Sequence, residues 1–287
     1  MPRYAMLLAY DGTDFCGWQN QSGTGKHENP KPGIEGVVNQ ALLEATGETA
    51  TAVASGRTDA GVHANGQVAH FTLSNRQPSP EHFLLSLNQK LPPGVQVNRL
   101  AEVPDSFSAR QASSKQYSYY LQHGPSELPH LRFGTTWIRH PLNGDQMHLA
   151  LQHLIGEHDF QPFGSSRANV SSTIRTIFNA RVTRESIPFS PGSIAHDLWR
   201  IQITGSGFLM HMMRSIAGTL IQIGEGRRPP EDMLAILESG NRAQVGPTAP
   251  ARGLWLDQVC YQSDDKNPLP SWLTLPVDES SHADEPH

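Results

Sequence analysis

Apolar side chains in the first 110 residues alternate between helical and extended spacing. From Ile34 to Ala45 they recur every three or four positions, and Gly47 follows as a helix end signal. A second helix is expected from Ser79, a residue type that favours a helix N-terminus. Strands are expected at Tyr4 to Tyr10, up to Ser55, at Gln67 to Leu73 and at Val95 to Val103. Strand, helix, two strands, helix, strand is the split βαβ order of a ferredoxin-like unit.

The second half of the chain has a similar order of elements. From Leu198 to Thr204 apolar and polar residues alternate, which is the period of a half-buried strand. From Phe208 to Gly224 the apolar residues form one helical stripe, and the opposite face carries His211 and Arg214. The remaining predicted elements are strands at Ser114 to His123, Ile174 to Glu185 and Leu254 to Tyr261, and helices at Asp145 to Ile155 and near Pro230 to Glu238.

Length and composition agree with two domains followed by a tail. A chain of 287 residues is ordinary for two domains, and 37% hydrophobic with 17% charged residues is typical of a globular protein. We expect an N-terminal α+β domain over residues 1–110, a C-terminal α+β domain over 111–261 and a tail over 262–287. Because the tail is rich in proline and acidic residues, we expect it to be disordered.

Charge is distributed unevenly along the chain. The formal net charge is -5, and the stretch from Asp257 to His287 contains seven acidic residues and one lysine. The rest of the chain is therefore close to neutral, with an arginine-rich region from Arg167 to Arg200. This distribution permits a local basic surface for nucleic acid, and it is equally compatible with ordinary solvated arginines.

Cysteines and apolar runs exclude several classes of protein. Cys16 and Cys260 lie far apart, so they form neither a disulfide framework nor the paired ligands of a zinc site. The first apolar run, from Ala5 to Tyr10, is too short for a secretory signal peptide. No apolar run approaches the roughly 20 residues of a transmembrane helix. We therefore expect a cytoplasmic protein with no membrane partner.

The segment ASGRTDAGVHANGQVAHF, from Ala54 to Phe71, lies between two apolar runs and contains three glycines, an arginine, an aspartate and two histidines. These are residue types that often take part in catalysis or ligand binding. It is compatible with a metal site, a phosphate cradle or an acid presented on a loop. His63 and His70 lack the helical spacing or cysteine partners of a typical zinc site, which argues against a metal. Glycines let a ligand approach the backbone closely, so Asp59 is a candidate for covalent chemistry; a turn-stabilising aspartate is the alternative. Arg57 is a candidate to hold a phosphate or to fill a vacated base stack.

Two other segments combine polar and apolar groups. KQYSYY places Tyr117 and Tyr119 on one face of a strand, where aromatic rings either form core or offer a surface on which a base stacks. A tyrosine hydroxyl in a pocket can also move a proton. Arg214 lies beside an apolar helical stripe, so it is either solvated or partly buried with a carboxylate partner. The spacing identifies no such partner.

Five segments, in this order, resemble the motifs of one enzyme family. They are YDGTDFCGWQ (Tyr10 to Gln19), GRTDAGVHA (Gly56 to Ala64), KQYSYY (Lys115 to Tyr120), GFLMHMMRSIAGTL (Gly207 to Leu220) and TAPARGLWL (Thr248 to Leu256). From about Tyr4 to Tyr261 the chain is similar to the tRNA pseudouridine synthases of the TruA type. The resemblance implies isomerisation of uridine to pseudouridine in the tRNA anticodon stem-loop, at positions 38 to 40, without a metal or an organic cofactor.

The resemblance also implies a fold, an assembly and roles for single residues. The fold is α+β, with two ferredoxin-like halves, antiparallel sheets flanked by helices, and an active-site cleft between the halves. The assembly is a homodimer in which one tRNA contacts both subunits. Asp59 matches the catalytic aspartate, Arg57 the residue that assists base flipping, and Arg214 the basic partner of the aspartate. Tyr117 matches a tyrosine that stacks on the uracil and is a candidate base for the C5 proton. The other implied substrate contacts are Leu254, which packs beneath the pocket, and His63, although spacing alone makes the histidines framework groups.

Three other functions fit parts of the sequence less well. A ferredoxin-like RNA-binding module carries an aromatic-rich strand motif that is absent here, and it has no use for the charge of Asp59. A nucleoside or glycoside hydrolase needs a second carboxylate, and none of the five motifs supplies an acid pair. A zinc deaminase needs the motifs H-x-E and P-C-x-x-C, which the sequence lacks.

Overall fold

One mixed sheet of ten strands, flanked by helices, forms the framework of the protein and places it in the α+β class. The computed structural model describes residues 1–19, 31–77, 79–165, 171–187, 196–263 and 268–274. The strands are β1 (Arg3–Tyr10), β2 (Val53–Ala54), β3 (His63–Thr72), β4 (Val95–Val103), β5 (Ser114–His123), β6 (Thr136–Ile138), β7 (Gly156–Asp159), β8 (Ile174–Glu185), β9 (Asp197–Gly205) and β10 (Leu254–Cys260). The α-helices are α1 (Ile34–Thr46), α2 (Pro80–Lys90), α3 (Gly144–Gln152), α4 (Met212–Gly224), α5 (Asp232–Ser239) and α6 (Ser271–Thr274). Within these ranges no helix has the length and apolar character needed to cross a bilayer.

The first half of the chain follows the predicted order of elements. Strand β1 lies between β3 and β4 and is antiparallel to both, and β2 pairs with β3. Helix α1 ends where predicted because Gly47 adopts a φ of 74° and donates its N–H to the carbonyl of Leu43. Helix α2 begins where predicted because the Ser79 side chain accepts the N–H of His82 at 3.3 Å.

Strand β10 joins the two halves into a single sheet. It is parallel to β3 and antiparallel to β5, which gives the strand order β4-β1-β3-β10-β5-β9-β8-β7. Strand β6 is also parallel to its neighbour β5. The expectation of purely antiparallel sheets is wrong for the β10–β3 pair and for the β6–β5 pair. The first arises because β10 enters between the halves in the same direction as β3.

Two short strands were not predicted, and two elements begin at clearly different residues from those expected. Strands β6 and β7 contain only three and four residues, which is too short for a period to be detected. Strand β3 begins at His63, earlier than the expected Gln67. The helix expected from Phe208 begins at Met212, because His211 has a left-handed φ of 67° that interrupts a right-handed helix.

Part of the acidic tail packs against the core. Helix α6 buries Leu273 completely, and the Tyr261 N–H donates to the Leu273 carbonyl at 2.9 Å. Residues 268–274 of the tail therefore contact the core, and the predicted disorder of the tail stays a prediction. Residues 264–267 and 275–287 lie outside the described residues.

Candidate active site

The loop between β2 and β3, residues 55–62, presents Asp59 to solvent and is called the aspartate loop below. The Trp18 N–H donates to the Thr58 carbonyl at 3.1 Å, and the Val62 N–H closes a turn on the Asp59 carbonyl at 3.1 Å. Gly61 supplies the φ of 77° that this turn requires. The Asp59 side chain is 28% exposed, so a ligand can reach it while the loop backbone stays fixed.

Gly17 fixes the distance between the first motif and the aspartate loop. Its φ is 100°, and a β-carbon placed there would lie 2.5 Å from the Thr58 carbonyl oxygen. Both the left-handed backbone and the missing side chain are therefore needed for this close approach.

We expect Gly17→Ala to lower the free energy of unfolding by about 3 kcal/mol, because strain and a backbone clash add together. The matched control is Gly226→Ala, which has a similar φ of 72° but nothing within 4 Å of the added carbon. Its expected loss is about 1 kcal/mol. Urea unfolding of both variants measures the difference, and equal losses would contradict the close-approach argument.

A buried polar cluster supports the aspartate loop from below. The hydroxyls of Tyr10 and Thr58 are 2.9 Å apart, and the Gln67 side-chain amide donates to the Gly56 carbonyl at 2.9 Å. Burial raises the pKa of Tyr10 to about 12, so its phenol stays protonated. These bonds hold the loop at Gly56 and Thr58, on either side of Arg57 and just before the aspartate.

Lys115 supports the same loop from β5. Its ammonium donates to the Ser55 carbonyl at 2.8 Å. Burial, assisted by the nearby charge of Arg175, lowers its pKa to about 8. The lysine of the KQYSYY motif is thus a partly desolvated donor that ties the second half of the chain to the aspartate loop.

Asp59 meets two basic side chains from the start of α4. Its Oδ2 lies 3.3 Å from a terminal guanidinium nitrogen of Arg214 and 3.4 Å from Nε2 of His211. Arg214 is itself fixed, because its Nε donates to the Ala249 carbonyl at 2.8 Å and the Ala249 N–H donates to the Arg214 carbonyl at 3.0 Å. The carboxylate partner that spacing could not identify for Arg214 lies 155 residues away in sequence. A partly exposed carboxylate held on one side by an arginine cation and an imidazole can act as a nucleophile or a base toward a bound ligand.

Tyr117 lies on the same side of the sheet as the buried polar cluster and is itself buried. Its ring packs edge-on against Phe208 with the ring centroids 5.0 Å apart. Burial first, and then Tyr10 and the charge of Asp59, raise the pKa of the Tyr117 phenol well above its ordinary value. The phenol is therefore protonated at neutral pH and lies within electrostatic range of Asp59. Leu254 is also buried and is paired with Tyr119 on β5.

Arg57 and His63 occupy contrasting positions. Arg57 is exposed on the aspartate loop, two residues before Asp59. His63 is only 1% exposed: its ring stacks on Trp255 at 4.3 Å, and its Nδ1 lies 3.1 Å from the backbone nitrogen of Gly12. Burial lowers the pKa of His63, which favours a neutral ring that accepts the Gly12 N–H. These contacts make His63 a framework group, and its predicted contact with substrate stays a prediction.

Sequence reasoning did not identify His211 or the polar cluster as parts of the site. His211 was placed only on the polar face of a helix, whereas its left-handed backbone and its approach to Asp59 depend on tertiary structure. Tyr10 and Lys115 begin two of the five motifs and Gln67 lies in a predicted strand, but no periodicity marks any of them as a support for a loop. Among the described residues no group of three or more His, Cys, Asp or Glu side chains converges as metal ligands.

Comparison with known proteins assigns the family. Residues 6–110 and 150–262 match the family model described as tRNA pseudouridine synthase. The chain is 39% identical over 268 residues to tRNA pseudouridine synthase A of Allorhizobium ampelinum, covering 92% of this chain and 96% of the relative. It is 40% identical to the protein of that name in Shouchella clausii, covering 91% and 94%. The relative of the same name in Brevibacillus brevis is 36% identical, covering 91% and 100%. The aspartate loop, with its basic partners on α4, therefore lies in a chain that belongs to the tRNA pseudouridine synthase family.

Proposed function

We propose that this enzyme isomerises uridine to pseudouridine at positions 38 to 40 of the tRNA anticodon stem-loop, with Asp59 as the catalytic nucleophile. The observation that carries the proposal is the half-exposed Asp59 carboxylate held 3.3 Å from Arg214 on a loop fixed from below. A purely structural ion pair gains nothing from exposure at a glycine-framed loop tip. An RNA-binding module would gain nothing from a carboxylate there, because its charge repels phosphate.

The reaction needs only groups that the chain and the uridine supply. The N1–C1′ bond of uridine breaks, the uracil turns, and a C5–C1′ bond forms; the C5 proton then leaves and N1 carries a proton in the product. Because no electron is gained or lost, neither a redox cofactor nor a metal is needed for balance. The target base must first leave the helical stack, which costs a few kcal/mol. Arg57, which is exposed two residues before Asp59, is proposed to hold the extruded nucleotide or to fill the space it leaves.

Tyr117 is proposed to stack on the extruded uracil and to relay the C5 proton. Since its raised pKa keeps the phenol protonated, it accepts a proton only by passing its own to another group. Asp59, whose charge acts on the phenol, is the nearby acceptor once its transient bond to the nucleotide has broken and freed the carboxylate, and the proton then passes to solvent while N1 takes up one proton. Leu254, which is buried on β10, is proposed to pack beneath this ring system, and His63 supports the strand that follows the aspartate loop.

We expect Tyr117→Phe to slow turnover by at least about 100-fold without weakening tRNA binding, because phenylalanine stacks but transfers no proton. Tyr120→Phe is the matched control, since Tyr120 points to the opposite face of β5. Single-turnover rates and filter-binding affinities of the two variants distinguish the roles. Near-normal turnover by Tyr117→Phe would mean that the residue only stacks.

The proposal also covers the division of the chain into two halves, its assembly and its location. We propose two ferredoxin-like halves, residues 1–110 and 111–261, with the active-site cleft between them; the strand orders β4-β1-β3-β2 and β10-β5-β9-β8 support this division. Asp59 comes from the first half, whereas Tyr117 and Arg214 come from the second. A homodimer that binds one tRNA through both subunits, and a cytoplasmic location, complete the proposed setting.

Release of tritium from tRNA transcripts that carry 5-tritiated uridine tests the proposed reaction and its site together. One transcript has uridine at positions 38 to 40, and its partner has cytidine there but uridine elsewhere. We expect release from the first transcript only. Equal release from both would place the target outside the anticodon stem-loop, and release from neither would contradict the proposed activity.

A further inference from the structure

His211 combines an unusual backbone with a side chain aimed at the reactive carboxylate. Its φ of 67° makes it the sole non-glycine residue with a positive φ among those the structure describes. Such a conformation costs about 1 to 3 kcal/mol and persists where the surrounding structure enforces it, often at functional sites. Helix α4 begins directly after it, and the Ser215 N–H donates to the His211 carbonyl at 2.9 Å as the first bond of the helix.

The imidazole is not used to cap this helix. No side-chain capping bond forms at the N-terminus of α4, although His211 occupies the capping position. Instead, Nε2 lies 3.4 Å from Asp59 Oδ2, and the ring is 34% exposed. The left-handed turn thus sets His211 beside Arg214, three residues later, so that both reach the same carboxylate.

The two basic side chains contact one oxygen of Asp59. Arg214 and His211 both approach Oδ2, at 3.3 and 3.4 Å. Within the described part of the chain, the side-chain hydrogen bond to Asp59 goes from Arg214 to Oδ2, and no hydrogen bond to Oδ1 is found. Because a carboxylate rotates freely about its last bond unless it is held, two contacts on Oδ2 fix the direction in which Oδ1 points.

We propose that His211 is a positioning residue that, with Arg214, holds Oδ2 of Asp59 and so directs Oδ1 toward the nucleotide. This inference rests on the proposed role of Asp59 as the nucleophile. A contact of 3.4 Å in the absence of RNA is long for a hydrogen bond, and such contacts often tighten when substrate is bound. His211 then acts on rate through Asp59 and contributes little to RNA affinity.

Substitutions at His211 separate the effect of losing the imidazole ring from the effect of changing the backbone conformation. In His211→Gly the left-handed turn is unstrained but the ring is lost. We expect its single-turnover rate to fall by about 10- to 100-fold, with unchanged tRNA affinity and an unchanged thermal midpoint. Free imidazole should restore part of this rate in His211→Gly and none of the rate lost in Asp59→Asn. His211→Asn, which also tolerates a left-handed backbone but whose amide stops short of Oδ2, should show the same loss.

The exposed His82 on α2 provides the matched control, and His82→Ala should leave rate and affinity unchanged. A normal rate in His211→Gly would overturn the inference. So would a loss of tRNA affinity equal to the loss of rate, or a rate loss that imidazole does not restore, because either marks a binding or structural role. An active Asp59→Asn would instead overturn the proposed function, so the two failures are distinguishable.

Discussion

Asp59→Asn is expected to lose pseudouridine formation by at least about 1,000-fold while binding tRNA as tightly as the unchanged enzyme. The amide has the shape of the carboxylate, so the aspartate loop, its turn and its contact with Arg214 have no steric reason to change. What disappears is the negative charge and the nucleophilic oxygen. Binding should persist because the carboxylate repels phosphate rather than attracting it.

The measurement for this variant is single-turnover tritium release, with filter binding for affinity. Asp105→Asn is the matched control, since Asp105 is exposed and lies outside the aspartate loop. Its rate should equal that of the unchanged enzyme. Turnover by Asp59→Asn within tenfold of normal would remove Asp59 from the chemistry, whatever its effect on binding.

Arg214→Met is expected to slow single turnover by about 100-fold and to weaken tRNA binding by less than about threefold. Methionine retains much of the apolar stem but loses the cation that holds Asp59 and the bond to the Ala249 carbonyl. Because the Arg214 side chain is only 17% exposed and its charge faces the Asp59 carboxylate, we expect it to act through Asp59 rather than through phosphate contacts.

The salt dependence of binding provides a second readout for Arg214. Loss of a phosphate contact reduces the slope of log affinity against log salt by about one, whereas loss of a partner for Asp59 leaves this slope unchanged. Arg76→Met is the matched control, because Arg76 forms an exposed ion pair with Glu102. An effect of Arg214→Met confined to affinity and salt slope would place the arginine on the RNA surface instead.

The sequence predicted most helices and strands, because hydrophobic periodicity and helix-end residues act within a few positions of one another. The bounds of β4, β5 and β8 agree with the sequence prediction, and Gly47 and Ser79 mark helix ends through interactions within a few residues. The single sheet was not predicted, since the parallel pairing of β10 with β3 joins residues far apart in the chain. Strands as short as β6 and β7 leave no detectable period.

For the candidate site, too, the sequence indicated residues within one short segment but not contacts between distant parts of the chain. Asp59 and Arg57 are candidates from the sequence because glycines frame them within one short segment. The partner of Arg214 required a contact across 155 residues, which only the family resemblance supplied before the structure was known. The role of Lys115 as a donor to the aspartate loop, and the left-handed backbone of His211, are set by tertiary packing and leave no mark in the spacing of residues.

Mapping pseudouridine at single-nucleotide resolution in bulk unmodified tRNA, after incubation with this enzyme or with Asp59→Asn, tests the central claim most directly. The account predicts new pseudouridine at positions 38 to 40 with the unchanged enzyme and none with the variant. Pseudouridine confined to other positions, or formed at 38 to 40 by Asp59→Asn, would contradict it.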